Sequence, residues 1–84
     1  MDYQLFTFPN CDKCIKVKKY LKEKNIPYHE INAGLGDGKM IFREFYKNNR
    51  DKIERDSKGQ TVLPILAQED KIFQGIEKII NNFK

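Results

Sequence analysis

Cysteine, histidine and long apolar runs are all scarce in this sequence, and each shortage removes a class of protein. Two cysteines, Cys11 and Cys14, stand in an otherwise cysteine-free chain. They are too few to staple a small secreted scaffold, so their closeness points to chemistry instead. The single histidine, His29, does not complete a four-ligand zinc or iron-sulfur site with them inside one chain. A cluster shared between two subunits is left as the metal-binding alternative, and no metal site is expected within the chain itself. His29 reads as a surface or packing residue of a strand. No apolar stretch reaches membrane-spanning length, and the opening Met1-Asp2-Tyr3-Gln4 is not a basic segment leading into an apolar one. Neither membrane insertion nor secretion is expected, and the cytoplasm is the expected compartment. Internal repeats and low-complexity tracts are lacking too, which excludes solenoids and disordered linkers.

What remains is a chain of 84 residues, 39% hydrophobic, with six Phe and four Tyr. That is enough for one modest core, so residues 1–84 are expected to form a single domain. Sixteen basic and twelve acidic residues leave a formal charge of +4, too balanced for a disordered chain. Lys13, Lys16, Lys18, Lys19, Lys22 and Lys24 crowd one stretch, which raises the question of nucleic acid. At helical spacing these lysines fan around the solvent side of an amphipathic helix, so no nucleic-acid partner is expected. Docking of an acidic partner through Lys13 and Lys16, nearest the cysteines, is the alternative use of this charge.

Residues 3–8 alternate and are rich in aromatics before Pro9-Asn10, as in a short strand that runs into a turn. From 11 to 25, Cys14, Val17 and Leu21 fall on one helical face. Asn10 is the expected cap, and Asn25 ahead of Ile26-Pro27 ends the helix. A second strand is expected over 26–33, then a loop around Gly34, Gly36 and Gly38. The run from Gly34 to Lys39 is not a phosphate loop, because Met40 stands where a metal-binding Ser or Thr belongs. Phe42, Phe45, Tyr46, Asn49 and Ile53 predict a second helix over 39–53 with an aromatic core face. Residues 54–60 read as a connector, and 61–66 as a strand apart from Pro64. Gln68-Glu69-Asp70 resembles a hairpin turn into a strand over 71–73. Gly75 breaks that strand, and Ile76, Ile79, Ile80 and Phe83 define one side of a closing helix. The expected fold class is α/β, in the order β-α-β-α-β-β-α, with a four-stranded mixed sheet flanked by three helices. A right-handed crossover makes its first two strands parallel, and the final hairpin is antiparallel.

In Cys11-Asp12-Lys13-Cys14 the two thiols sit at a helix start, close enough to form a disulfide with little backbone movement. They are not equivalent. Cys11 occupies the first turn, where unpaired N–H groups point outward, whereas Cys14 shares the apolar face with Val17 and Leu21. Thiolate, not thiol, attacks disulfides, and a helix N-terminus favours it. Lys13 acts in the same direction and the Asp12 carboxylate against it. Cys11 is therefore the expected nucleophile and Cys14 the resolving thiol.

A CxxC that closes the first strand, Thr61-Val62-Leu63-Pro64 downstream, and Gly75 before the last helix together resemble the glutaredoxin and NrdH-redoxin branch of the thioredoxin fold. The resemblance covers essentially the whole chain. It implies a redox-active disulfide, electron transport to disulfide substrates and a part in cell redox homeostasis. It implies that Pro64 is cis and faces the cysteines, and that the Leu63 backbone pairs with an extended substrate. Asp12, Lys13, Val62, Gly75, Ile76 and Glu77 complete the implied substrate site. The expected partners are a disulfide-containing protein and a reductant, either glutathione or a flavoprotein disulfide reductase, acting on a monomer without a tightly bound cofactor. The chain departs from the glutaredoxin pattern in three places. Asp12-Lys13 replaces Pro-Tyr between the cysteines, Phe8 stands where a lysine holds a glutathione carboxylate, and Gly75-Ile76-Glu77-Lys78 replaces Gly-Cys-Asp-Asp. A protein disulfide fed by a flavoprotein, as in the NrdH-redoxins that serve ribonucleotide reductase, is the alternative these departures open. The aromatic-rich signature of those redoxins around Gly75 is lacking. A non-catalytic adaptor that binds partners along the strand edge near Pro64 is the alternative of another class.

Overall fold

The computed structural model describes residues 3–84; of the opening segment weighed above, Met1 and Asp2 lie outside them. Strands β1 (Tyr3–Thr7), β2 (Tyr28–Asn32), β3 (Ile65–Gln68) and β4 (Lys71–Gln74) form one sheet in the order β2-β1-β3-β4. Helices α1 (Asp12–Glu23), α2 (Gly36–Asn48) and α3 (Ile76–Asn82) connect or close it. β1 and β2 run parallel, with Phe6 beside Ile31, while β1 with β3 and β3 with β4 are antiparallel. This is the mixed α/β sheet that the hydrophobic periodicity predicts.

Strand alternation divides the core into two layers. On one face Leu5 and Leu66 meet Val17 and Leu21 of α1 and Ile79 of α3, all fully buried. On the other face Phe6, Ile31, Ile65 and Ala67 are covered by Phe42 and Phe45 of α2. The Phe6 ring lies 4.4 Å from that of Phe45 and 5.6 Å from that of Phe42, so two rings of the expected aromatic face pack on the core, but they stay half-buried and no residue of α2 is fully buried. His29 is exposed on β2.

Several boundaries differ from the sequence expectation for physical reasons. Cys11, not Asn10, is the N-cap of α1; Asn10 instead turns the chain through a positive φ of 58°. The end of α1 is closed by Asn25, also at φ 58°, with the Ile26 N–H donating to the Leu21 carbonyl at 2.9 Å. That is a left-handed cap, which asparagine tolerates. β2 begins at Tyr28, because Ile26-Pro27 finishes this cap rather than joining the sheet. Helix α2 begins at Gly36, inside the supposed loop, and stops at Asn48. Helix propensity argues against a glycine start, but at Gly38 a Cβ would run into the backbone carbonyl of Asn32. The glycine is what lets α2 start hard against the end of β2. Residues 61–63 lie outside the sheet, Thr61 making only an isolated bridge with Arg55, and β3 starts at Ile65 after the cis Leu63–Pro64 peptide. Proline has no N–H to give a ladder.

Gly38→Ala should therefore destabilise the fold by about 1–3 kcal/mol, the usual cost of overpacking. Urea denaturation measures this, and an unchanged midpoint would show that the start of α2 yields freely.

Candidate active site

The site is assembled where β1 hands over to α1. After Thr7 the chain leaves the sheet, turns at Pro9-Asn10 and places Cys11 with extended dihedrals at the helix start. A helix start needs acceptors for its unpaired N–H groups. Here the Cys14 N–H donates to Cys11 Sγ at 3.2 Å, and the Ile15 N–H donates to the Cys11 carbonyl at 3.1 Å. The first cysteine is thus the cap of its own helix. Both cysteines are reduced, Cys11 partly exposed and Cys14 buried beside Val17.

Burial pushes the Cys14 thiol up from 9.0 to about 12, reinforced by its hydrogen bond to Cys11 and by the charge on Cys11. The Phe8 backbone N–H and Lys18 pull in the opposite direction. Lys18 is not one more solvent lysine, as its place in the lysine-rich stretch suggested. Its Nζ lies 3.2 Å from Glu30 Oε2, which also accepts from the buried Thr7 hydroxyl at 2.8 Å. The pair ties α1 to β1 and β2 one helical turn below Cys14.

A second ledge comes from the segment before β3. Buried Gln74 on β4 holds it: its side-chain oxygen accepts from the Glu54 N–H at 2.6 Å, and its amide donates to the Glu54 and Val62 carbonyls at 3.0 and 3.1 Å. The Gly75 N–H donates to the Pro64 carbonyl at 2.9 Å, and Gly75 takes φ 87° as the cap residue of α3. Among the described residues no hydrogen bond reaches the N–H or carbonyl of Leu63.

Two hollows flank this ledge. Cys11 and Leu63 share a groove of about 640 Å³ with Phe8, Phe42, Arg55 and Thr61. Lys13, Val62, Gly75, Ile76 and Glu77 share a smaller one of about 390 Å³ with Glu54 and Lys78. The structure therefore gathers most of the residues the sequence singled out, but not all. Asp12 is exposed and lines neither hollow, and Pro64 has the expected cis peptide but a fully buried ring, so it supports the ledge from behind. Arg55, Phe42, Gln74 and the Lys18–Glu30 pair were not foreseen. The only hint was chemical, a glutamine and a threonine at strand positions that should be apolar. Among the described residues no group of three or more His, Cys, Asp or Glu is placed to hold a metal ion, and no helix is long and apolar enough to cross a membrane.

A four-stranded mixed sheet with a CxxC capping its first helix, opposite a cis-proline ledge, defines a thioredoxin-fold dithiol protein. The chain belongs to the glutaredoxin family, whose family model matches residues 4–73. Among solved structures it is similar to NrdH-redoxin from Escherichia coli, described as a glutaredoxin-like protein with a thioredoxin-like activity profile. The TM-score is 0.67 at 19% identity, over 100% of this chain and 96% of that one. It is also similar to glutaredoxin 1 from Francisella tularensis, solved with cacodylate, with TM-score 0.68 at 18% identity over 98% and 91% of the two chains. An ArsC family related protein from Bacteroides fragilis aligns with TM-score 0.54 at 18% identity over 89% and 90%. At these identities the likeness concerns the fold. No curated protein matches the chain.

The raised Cys14 pKa sets a pH dependence. Unfolded thiols ionise near 9.0 while native Cys14 holds its proton to about 12, so its contribution to stability is complete below the first value and lost as pH rises to the second. The stability of the reduced protein relative to Cys14→Ser should fall across that window in urea titrations. A difference that stays flat with pH would contradict the assignment.

Proposed function

We propose that this glutaredoxin-family chain is a cytosolic dithiol oxidoreductase in which Cys11 attacks and Cys14 resolves. The observation that carries this reading is the asymmetry of the pair: a partly exposed sulfur at the helix cap, hydrogen-bonded by the backbone of a buried thiol held at about 12. Cys11, as its thiolate, attacks a substrate disulfide. A Cys11–substrate S–S bond forms, the substrate S–S bond breaks, and the leaving sulfur takes a proton.

Cys11 then carries no charge and no longer accepts the Cys14 proton. Two of the causes that keep Cys14 protonated disappear together, while the Phe8 N–H and Lys18 still favour its thiolate. Cys14 gives up its proton and attacks Cys11 Sγ. The intramolecular disulfide forms, the mixed disulfide breaks, and the second substrate sulfur leaves as a thiol. The substrate has gained two electrons and two protons; the Cys11–Cys14 pair supplies both electrons and the Cys14 proton, and the other proton comes from solvent, which received it when Cys11 ionised. Two molecules of glutathione or a flavoprotein disulfide reductase restore the dithiol, and no resident metal or organic group is required.

Protein disulfides are the proposed substrates, with the unbonded Leu63 backbone as the place where an extended segment pairs. A second reading, a redoxin fed by a flavoprotein, is supported by Phe8 in place of a carboxylate-holding lysine. Phe8 lines the Cys11 groove, 48% exposed, and it has no charge to offer glutathione. The similar E. coli protein, glutaredoxin-like in structure and thioredoxin-like in activity profile, shows that the two properties occur together.

Cys11→Ser should abolish turnover, whereas Cys14→Ser should arrest protein disulfide substrates as covalent adducts on Cys11, seen by non-reducing electrophoresis and mass. Adducts on neither variant, with unimpaired function of Cys11→Ser, would mark a non-catalytic adaptor. Lys18→Met should slow decay of the mixed disulfide by about threefold or more, since it removes a cation that favours the Cys14 thiolate. Stopped-flow resolution rates check this, and an unchanged rate removes Lys18 from the mechanism. Supplying glutathione with its reductase, or thioredoxin reductase, as sole electron source separates the two reductants.

A further inference from the structure

The two hollows beside the ledge differ in charge, and that difference bears on what the protein reduces. In the smaller one Lys13 and Lys78 face Glu54 and Glu77, and Lys78 is already bound to Glu54 at 2.7 Å. It is electrically balanced. The larger groove holds Cys11 itself, an apolar floor of Phe8, Phe42 and Leu63, and one formally charged side chain besides the nucleophile, Arg55.

The setting of Arg55 keeps it available. Both acids beside it in the chain are committed elsewhere. Glu54 reaches Lys78, and Asp56 Oδ1 accepts from the Lys58 and Gln60 N–H groups at 2.9 and 3.0 Å. Among the described residues no carboxylate pairs with Arg55, whose guanidinium rests over the Tyr46 ring at 5.3 Å. Its backbone is held as well, by the bridge to Thr61 and by the Gln74 clamp on Glu54 next to it. An exposed cation is thus presented on a pinned turn at the lip of the groove that contains the nucleophile.

We propose that this groove takes an extended protein segment bearing an apolar side chain and a carboxylate beside its disulfide, and that Arg55 reads the carboxylate. The inference rests on the oxidoreductase reading above and names its substrate class. Arginine suits the task because its planar guanidinium binds carboxylates bidentately while stacked on an aromatic ring. The apolar floor decides between the two sources of a carboxylate. Glutathione has no apolar side chain to fill it. A protein segment supplies both features at once.

The test uses two synthetic peptides, each with one cysteine in mixed disulfide with 2-mercaptoethanol and flanked by Leu and either Glu or Lys. Reduced wild-type protein should react with the Glu peptide about fivefold faster than with the Lys peptide, as expected for one solvent-accessible charge pair. The ratio should approach unity in Arg55→Gln and reverse in Arg55→Glu, and it should shrink with added salt. Equal rates in the wild type, or a preference that survives Arg55→Glu, overturn the proposal. So does glutathione disulfide reacting faster than the Glu peptide with a rate that falls in Arg55→Gln, which would make the groove a glutathione site. Hydroxyethyl disulfide separates the two levels. A wild type that reduces it without discriminating between the peptides refutes only the role of Arg55, and one that reduces nothing refutes the oxidoreductase reading with it.

Discussion

The hydrogen bond from the Cys14 N–H into Cys11 Sγ is the contact on which the rest of the site depends. A helix start must find acceptors for its first N–H groups, and oxygen-bearing side chains supply better ones than sulfur. Placing a cysteine there forgoes some capping strength. In return the sulfur is fixed at the helix tip, one turn from its buried partner. Everything around the bond serves its position. Asn10 turns the chain from β1 into the cap, and Val17 and Leu21 seat the helix on Leu5 and Leu66. Thr7, Glu30 and Lys18 tie the second turn of α1 to the sheet.

The two sulfurs also act on each other directly. Burial first, then the hydrogen bond to Cys11 and the charge on it, hold the proton on Cys14; in the proposed cycle a mixed disulfide at Cys11 removes the last two. On the proposed mechanism Cys14 therefore stays protonated until a mixed disulfide has formed on Cys11. Opposite the pair, Gln74 performs for the ledge what the cap performs for the helix. By satisfying both backbone groups of Glu54 and the carbonyl of Val62, it holds a segment outside the sheet at a fixed height beside Leu63 and Arg55.

Much of this was legible in the sequence, and the reason is periodicity. Val17 and Leu21 had to share a face with Cys14, and the alternation in 3–7 had to send Leu5 and Phe6 to opposite layers. Element order, strand directions, the CxxC at a helix start and the chemical inequality of its thiols all followed from such local rules. What escaped depends on contacts between distant segments. Gly36 and Gly38 look like a loop until the Asn32 carbonyl is known to lie against the start of α2. Thr61, Val62 and Leu63 look like strand residues until Gln74 on β4 is known to hold the Val62 carbonyl. Lys18 is indistinguishable from its neighbouring lysines without Glu30 on β2, and Arg55 sits in a charged connector held at Glu54 by Gln74, twenty residues beyond that glutamate.

The central claim is that Cys11 and Cys14 form a reversible disulfide within one chain. Its most direct measurement is equilibration of the protein across a series of oxidised-to-reduced dithiothreitol ratios, with acid quenching and free-thiol counting by mass spectrometry. The account predicts a single two-electron transition in which both thiols of a monomer vanish together and return on reduction. A protein that keeps both thiols at every ratio, or loses them only through covalent dimers, would contradict it.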